Sequence, residues 1–186
     1  MSKMNKIDKE EWLLHLKDDE YPLTTIDHDR IIVRAIVIDN DNNFYFARVN
    51  RNDDFGKATL IETAGGGVEP GEDLESAVKR ELKEELGAVV KIVRKIGIVS
   101  DYYNLIHRHN INHYYFCKVV SFKDKCLTDA EINDFHLSTL KLRYCEAFDE
   151  YERCRCSSLG TLIANREVPV LKRVNKWIQK VNHTSF

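Results

Sequence analysis

The segment spanning residues 73–86 constrains this chain most, because it predicts a helix that turns acidic side chains toward the protein interior. At about 100° per residue, the apolar face of this helix consists of Leu74, Ala77, Val78 and Leu82. Glu81 falls near the centre of that face, and Glu84 and Glu85 flank it. An ordinary surface helix would carry these carboxylates on its solvated side, so the pattern predicts an acidic surface that faces the body of the protein.

Carboxylates that share an inward face resist ionisation, and unpaired charge is costly to bury, so a positive group is expected among them. Glu81, Glu84 and Glu85 have i, i+3 and i+4 spacing, which lets them converge on one small volume. A hard divalent cation with oxygen ligands, Mg²⁺ or Mn²⁺, suits such a volume. The alternative is an amphipathic helix held by surface pairs such as Glu75 with Lys79.

Glycines on both sides of the predicted helix favour a ligand-binding role for this segment. Residues 65–67 are all glycine and follow a predicted strand, so the backbone there can approach a ligand or metal closely. Pro70 and Gly71 turn the chain into the helix, and Gly87 ends it. Arg80 lies at the border of the acidic face, where it can orient a neighbouring carboxylate.

This segment resembles the Nudix box, in which a glycine, a glutamate and an Arg-Glu-apolar-x-Glu-Glu-x-Gly run occur at fixed spacing. Gly66 is followed after five residues by Glu72, and seven more residues lead to the run RELKEELG at residues 80–87. The fixed glycine, glutamate and arginine positions all match, and only Ala88 departs, where a larger aliphatic residue is usual. The resemblance implies an α/β fold, an α/β/α sandwich with a mixed β-sheet and a loop–helix–loop catalytic motif.

The resemblance also implies a role for each residue of the box. Glu84 and Glu85 are the expected principal metal ligands. Glu81 is expected to bind metal or to act as general base, with Arg80 orienting it. The carbonyl group of Gly65 is a further expected metal ligand.

Other residues are assigned supporting roles by the same resemblance. Gly66 and Gly87 are expected to shape the loops of the motif, and Glu72 is expected either to fix the loop or to contact the metal through water. Some members of the family recruit the general base from a later loop, and Glu131 is the candidate here, against the alternative of a surface glutamate. The implied reaction is metal-dependent hydrolysis, NDP-X + H₂O → NMP + P-X, in which metal lowers the pKa of a bound water and a carboxylate takes its proton.

Outside the box, the pattern predicts a mixed sheet with helices packed on it. Strands are predicted at residues 31–39, 44–49, 60–64, 89–100, 112–120 and 139–145, and helices at 146–155 and roughly 169–182. This order is similar to that of Nudix domains and predicts one domain over residues 30–186. Residues 1–29 are interpreted as an N-terminal extension with a short helix at residues 8–17. The Trp12 side of that helix covers either its own domain or a second copy in a homodimer.

Composition excludes several classes of function. The chain has 186 residues and a net charge of −2, which suits one domain and disfavours broad nucleic-acid binding, since that needs clustered Lys and Arg. No apolar run approaches the roughly 20 residues of a membrane-spanning helix, and the charged N-terminus does not resemble a signal peptide. We therefore expect a cytoplasmic protein with reduced cysteines and a small nucleotide-like substrate. Cys154 and Cys156 lack a second pair at zinc-binding spacing, which favours ordinary thiols.

Residues that select the substrate lie outside the box, and the sequence leaves each of them with two interpretations. The candidates are Arg34, Arg48, Arg51, Lys57, Tyr102, Tyr103, His107, Arg108, His109 and His113. The four basic residues lie in or near a predicted hairpin that either faces the ligand or is solvated. The tyrosines either stack on a base or pack at a strand end. In having a tyrosine in this region, the chain resembles family members that act on dinucleoside polyphosphates. The histidine-rich group is either a cationic phosphate loop or a polar turn.

Three alternatives to a hydrolase of small molecules remain open. A non-catalytic Nudix-like module would sense a nucleotide, but such modules tend to lose box glutamates and none is lost here. An enzyme like isopentenyl diphosphate isomerase would use a cysteine, such as Cys117 or Cys145, but its box is altered. An RNA 5′-end pyrophosphohydrolase would need a basic stripe, which the composition disfavours.

Overall fold

A computed structural model describes residues 11–133 and 135–183, and within them eight strands form one mixed sheet. The strands are β1 (Leu13–Leu16), β2 (His28–Ile38), β3 (Phe44–Asp53), β4 (Gly56–Glu62), β5 (Gly65–Gly67), β6 (Ala88–Tyr103), β7 (Arg108–Phe122) and β8 (Ser138–Leu142). The helices are α1 (Leu74–Leu86), α2 (Asp129–Asn133), α3 (Tyr144–Cys154) and α4 (Ser158–His183), and a 3₁₀ turn covers Asn104–Ile106.

The sheet has the order β1-β6-β7-β2-β3-β4, with β5 paired to β2 and β8 paired to β3. β2 and β7 run parallel in a register that begins at His28 opposite Arg108 and ends at Ile38 opposite Lys118. β6 and β7 form a long antiparallel pair. Since β5 pairs with β2, the glycine strand that precedes α1 is anchored at the centre of the sheet. The predicted mixed sheet is therefore confirmed.

Two apolar cores lie on opposite faces of the sheet. α3 and α4 cover one face, where Phe46 and Leu171 are fully buried. α1 covers the other face, where Val33 and Leu82 are fully buried. Side chains alternate along a strand, so the continuous apolar run of β2 is buried on both faces. This layering confirms the α/β/α sandwich.

Local signals at both ends define α1. The Asp73 carboxylate accepts hydrogen bonds from the backbone N–H groups of Glu75 and Ser76 and thereby caps the N-terminus. Gly87 ends the helix in a left-handed conformation with φ of 67°. A Cβ atom at that glycine would lie 2.2 Å from the carbonyl oxygen of Lys123, so a larger residue does not fit. The helix predicted for residues 73–86 is confirmed.

The helix predicted for residues 8–17 is wrong over its described part, because Leu13–Leu16 form β1; residues 8–10 lie outside the described residues. β1 pairs in parallel with β6, and Trp12, Leu14 and Leu16 pack against the core beside α4. A Cβ atom at Gly97 of β6 would lie 2.2 Å from the carbonyl oxygen of Trp12, so the approach of β1 requires glycine there. The open edge of β6 and the alternating apolar residues outweigh the helical pattern, and the Trp12 side covers its own domain.

α4 begins at Ser158, well before the predicted start at residue 169. Pro169 lies inside α4, although proline is unfavourable in a helix interior. Burial of Val170 and Leu171 against the sheet stabilises the longer helix despite the proline. Within residues 11–133 and 135–183, no helix combines the length and apolar character that crossing a bilayer requires. The remaining predicted strands and α3 are confirmed with small differences at their ends.

Candidate active site

The acidic face of α1 lies directly against the glycine strand β5. The backbone N–H of Gly65 donates to Oε2 of Glu85 over 2.9 Å. A Cβ atom at Gly66 would lie 2.5 Å from Oε1 of Glu81, which is buried at 9% exposure. No side chain fits at that position while Glu81 keeps its place. The glycines therefore allow the carboxylates of α1 to approach the backbone of β5.

Arg80 holds the carboxylates of this site in place. Its Nε and Nη2 atoms donate to the two carboxylate oxygens of Glu72 over 3.0 and 2.9 Å. Its Nη1 atom donates to both Glu81, over 2.9 Å, and Glu84, over 3.1 Å. Its Nη2 atom also donates to the carbonyl oxygen of Gly67 over 3.0 Å. One guanidinium thus connects the loop before α1 to two carboxylates of the acidic face.

The positive charge of Arg80 does not fully compensate the buried acids. Burial raises the pKa of Glu85 to about 8, although the hydrogen bond from Gly65 opposes this shift. Burial also raises the pKa of Glu81, against the effect of the neighbouring guanidinium. The negative charge of each of these two glutamates disfavours ionisation of other acids nearby. The acidic face is therefore short of positive charge.

The donor atoms of this face fit a hard divalent cation. Within the described residues, no three His, Cys, Asp or Glu side chains form a ready-made metal cage. Mg²⁺ does not need one, because it usually takes one or two carboxylates and completes its shell with waters and substrate phosphates. Glu84 and Glu81 accept from a common guanidinium nitrogen, and the partly buried carboxylate of Glu85 accepts from the backbone N–H of Gly65. The residues present thus suit a cation shared with the substrate.

Without metal, we expect the stability of the protein to fall as pH rises from about 5 to about 8. The pKa of Glu85 is raised from 4.5 to about 8, so the folded state binds the proton more tightly than the unfolded state throughout that window. A Glu85→Gln variant lacks this effect. One pKa unit corresponds to about 1.4 kcal/mol, so the stability difference between variant and wild type should grow to a few kcal/mol near pH 8.

Denaturant unfolding of both proteins in EDTA at several pH values measures that difference. Subtracting the two curves removes the contribution of groups that titrate alike in both proteins, such as His113. Addition of Mg²⁺ or Mn²⁺ at pH 8 should stabilise the wild type more than the variant. Parallel stability curves for the two proteins would contradict the proposed burial of a carboxylate charge at Glu85.

A cavity of about 260 Å³ opens beside the acidic face. Gly65 and Glu85 form part of its wall. The rest of its lining is rich in arginine and aromatic side chains, and it includes Arg30, Arg34, Arg51, Arg108, Arg166, Asn110, Phe55, Tyr103 and Phe135. The volume lies slightly below the range typical of ligand pockets, so the cavity suits part of a nucleotide-like substrate.

Paired charges form the floor of the cavity. Glu62 lies 3.3 Å from Arg51, 3.5 Å from Arg34 and 3.4 Å from Arg166. Burial would raise the pKa of this glutamate, but the three guanidinium charges lower it below its ordinary value. Arg166 is 2% exposed and also donates to Oη of Tyr103 over 2.8 Å. This floor is a closed network of compensated charges.

Of the candidate substrate residues, Arg34, Arg51, Tyr103, Arg108 and Glu131 line the cavity. The structure does not bring Arg48 or Lys57 to it, and both are exposed. The reason is the alternation of side chains along β3, whose residues 47, 49 and 51 face the cavity, so that Arg48 faces away.

The histidine-rich group does not form a phosphate loop. Nδ1 of His107 hydrogen-bonds to the carbonyl oxygen of Thr25, and His109 hydrogen-bonds to Ser100 and Asp29. Tyr102 stacks on His109, with 4.5 Å between the ring centroids. Arg108 lines the cavity, whereas His107, His109 and His113 do not.

The cysteines do not support an isomerase-like reaction. All five are free thiols, and neither Cys117 nor Cys145 lines the cavity. Burial raises the pKa of Cys117 to about 12, which makes that thiol a poor nucleophile.

The sequence did not predict four residues that line the cavity, namely Arg30, Glu62, Asn110 and Arg166. They come from β2, β4, β7 and α4, and no local spacing connects them. One signal was available, because Arg166 and Glu167 form a charged pair inside an otherwise apolar helix face.

Comparisons with known proteins agree with this fold and site. The NUDIX domain model matches residues 28–147, well over half of the chain. The structure is similar to a NUDIX hydrolase from Nitrosomonas europaea, with a TM-score of 0.55 and 20% identity over 66% of this chain and 78% of that one. The E. coli ORF135 protein gives a TM-score of 0.55 and 21% identity over 80% of this chain and 89% of that one.

A MutT protein from Methanosarcina mazei Go1 gives a TM-score of 0.52 and 19% identity, over 80% of this chain and 94% of that one. At such identities the likeness concerns the fold. No curated protein matches the chain by sequence. The family model, however, covers the complete box together with the sheet that supports it. The chain therefore belongs to the NUDIX domain family, and it is a hydrolase that acts on pyrophosphate bonds.

Proposed function

We propose that this protein is a metal-dependent hydrolase of a nucleoside diphosphate linked to another group, with the reaction NDP-X + H₂O → NMP + P-X. The supporting observation is that the acidic box and the arginine-rich wall share one cavity. Glu85 and Gly65 line the same space as Arg34 and Arg108. Its acidic end suits cations and its basic end suits phosphates, which is the charge pattern of a metal-bound pyrophosphate.

Each residue of the box has a distinct task in this proposal. Bound Mg²⁺ or Mn²⁺ supplies charge neutralisation of the pyrophosphate and a more acidic water. Glu84 and Glu85 hold the cation, with the carbonyl group of Gly65 as a further ligand. Arg80 keeps Glu84 and Glu81 in position, because its Nη1 atom contacts both. Glu72 fixes Arg80 in turn through two hydrogen bonds.

A carboxylate accepts the proton of the attacking water. The water oxygen forms a bond to phosphorus, the bridging P–O bond breaks, and the departing phosphate retains the electron pair. Glu81 is the first candidate for the base because it lies at the centre of the acidic face. Glu131 is the second candidate, since it lines the cavity and its Oε2 atom is oriented by the N–H and hydroxyl groups of Thr128.

Hydrolysis should depend on added metal and be restricted to one class of nucleotide. The measurement is release of phosphate and pyrophosphate from nucleoside triphosphates, sugar nucleotides, dinucleoside polyphosphates and capped RNA ends, each with Mg²⁺, Mn²⁺ or EDTA. Metal-dependent turnover that EDTA abolishes supports the proposal. No turnover across the panel, with nucleotide binding still visible as a thermal shift, favours the sensor alternative. Turnover of capped RNA alone favours the RNA-end alternative.

A further inference from the structure

Three polar side chains of β2 and β7 meet at one wall of the cavity. The parallel register places Arg30 opposite Asn110, and His28 opposite Arg108. Alternate residues of a strand share a face, so Arg30, Asn110 and Arg108 lie on the same side of the sheet, and all three line the cavity. Adjacent strands are about 4.8 Å apart, so the three side chains are immediate neighbours.

Asn110 is buried without partners. It is 1% exposed, and neither Oδ1 nor Nδ2 has a hydrogen-bond partner within the part of the chain that the structure describes. A buried amide normally satisfies both atoms, because an unmatched donor or acceptor loses its bonds to water without replacement. Its position in the cavity wall means that a bound group could satisfy both atoms.

Arg108 and Arg30 carry charge that no carboxylate in residues 11–133 or 135–183 neutralises through an ion pair. Nε of Arg108 is buried without a hydrogen bond, and the guanidinium lies over the ring of Tyr103 at 5.7 Å. Burial lowers the pKa of Arg108, and the positive charge of Arg30 lowers it further. The floor arginines differ, since each of them contacts a carboxylate.

This cluster also lies next to the box. A Cβ atom at Gly67 would lie 3.2 Å from Nη2 of Arg30, and the carbonyl oxygen of Gly67 accepts from Arg80. An anion held by Arg30 would therefore lie beside the loop that carries the acidic face. Guanidinium groups bind phosphate oxygens through paired N–H donors, which makes phosphate a suitable anion.

We propose that Arg30, Asn110 and Arg108 form a subsite for a substrate phosphate other than the one attacked. This inference rests on the proposed function and narrows it, because X then carries a phosphate, as in nucleoside triphosphates and dinucleoside polyphosphates. The two guanidinium groups and Nδ2 of Asn110 donate to phosphate oxygens. Oδ1 of Asn110 accepts from a hydroxyl group of the adjoining sugar. A nucleoside diphosphate linked to a neutral sugar lacks the anion that this subsite requires.

Binding of inorganic pyrophosphate in EDTA tests the subsite without any turnover. Calorimetry should show that Arg108→Gln and Arg30→Gln each weaken binding by about 10- to 100-fold, as expected for the loss of a charge-assisted hydrogen bond. Arg48→Gln is the matched control, because Arg48 is exposed and faces away from the cavity. Absence of binding to the wild type, or an equal loss in the Arg48 variant, would overturn the proposal.

Asn110→Leu separates a ligand-binding role from a structural one. Leucine has a similar size and leaves no polar atom unsatisfied, so the melting temperature of the free protein should stay the same or rise by about 2–4 °C. Pyrophosphate binding should weaken in the same variant. A lower melting temperature together with unchanged binding would mean that the amide serves the fold, and would contradict the subsite.

Substrate preference separates failure of the subsite from failure of the proposed function. For the wild type, kcat/KM should be higher for a nucleoside triphosphate or a dinucleoside polyphosphate than for a sugar nucleotide. Arg108→Gln should reduce that preference about tenfold or more. Whichever substrate, the nucleoside triphosphate or the dinucleoside polyphosphate, loses more kcat/KM in this variant is the one whose phosphate occupies the subsite. Metal-dependent turnover that prefers the sugar nucleotide would overturn the subsite and leave the proposed function intact. Lack of turnover, together with pyrophosphate binding that depends on Arg108, would overturn the proposed function and leave the subsite intact.

Discussion

Replacing Glu84 by Gln is expected to lower the rate of hydrolysis by about 10²- to 10⁴-fold while the protein remains folded. Glu84 lies on the open side of α1, and Nη1 of Arg80 contacts its Oε2 atom over 3.1 Å. Glutamine keeps the shape of the side chain and can still accept that hydrogen bond. It cannot supply the negative charge that holds a divalent cation, so the loss should be catalytic rather than structural.

Initial rates at increasing Mg²⁺ or Mn²⁺ concentration measure this effect. A weaker metal dependence as well as a lower maximal rate is expected in the variant. Glu75→Gln is the matched control, because Glu75 lies on the exposed side of the same helix and should retain wild-type rates. Unchanged activity of Glu84→Gln, at any metal concentration, would remove the basis for assigning the acidic face to metal binding.

Replacing Arg166 by Met is expected to lower the free energy of unfolding by about 3–5 kcal/mol, because it leaves buried carboxylates without their counter-ion. Arg166 is 2% exposed and lies 2.9 Å from Glu167, 3.4 Å from Glu62 and 3.5 Å from Asp101. Methionine fills much of the same volume, so the loss of charge should dominate over the loss of packing. At about 2–4 °C per kcal/mol for a chain of this size, the melting temperature should fall by roughly 6–20 °C.

Thermal and denaturant unfolding of the variant measure this loss. Arg153→Met is the control, since Arg153 makes an exposed pair with Glu150 and should change stability by no more than about 1 kcal/mol. Adding Glu167→Gln to Arg166→Met should recover part of the stability, because Arg166 is the counter-ion of the fully buried Glu167. Equal effects of the Arg166 and Arg153 variants would mean that the floor of the cavity is not a buried ionic network.

The two ends of the cavity explain why its floor needs this network. The carboxylates that bind metal and the guanidinium groups that bind phosphate carry opposite charges. If the two sets formed ion pairs with each other, neither could bind its ligand. Arg166 and Glu62 form a compensated layer beneath them, so the charges of Glu85 at the acidic end and of Arg108 at the basic end remain available to ligands. Replacing floor residues should therefore affect stability first, whereas replacing wall residues should affect binding first.

The sequence by itself determined the box helix and the acidic face that it carries. The N-cap Asp73, the left-handed Gly87 and the i, i+3, i+4 spacing of the glutamates all act within one helix, so their effects can be predicted without knowing the rest of the fold. The β-branched run at residues 31–39 likewise predicted a strand, and the structure has it as β2. The position of Glu81 next to Gly66, by contrast, depends on how α1 packs against β5.

Only the tertiary structure decided where the distant residues lie. Leu13–Leu16 form a strand because the edge of β6 is open to them, and a helical pattern in the sequence cannot reveal a neighbouring strand edge. Arg30, Arg108 and Asn110 meet because β2 and β7 run parallel in one particular register. A shift of that register by one residue would turn one set of side chains to the other face of the sheet. Long-range strand pairing therefore determines the basic end of the cavity, while local helix geometry determines the acidic end.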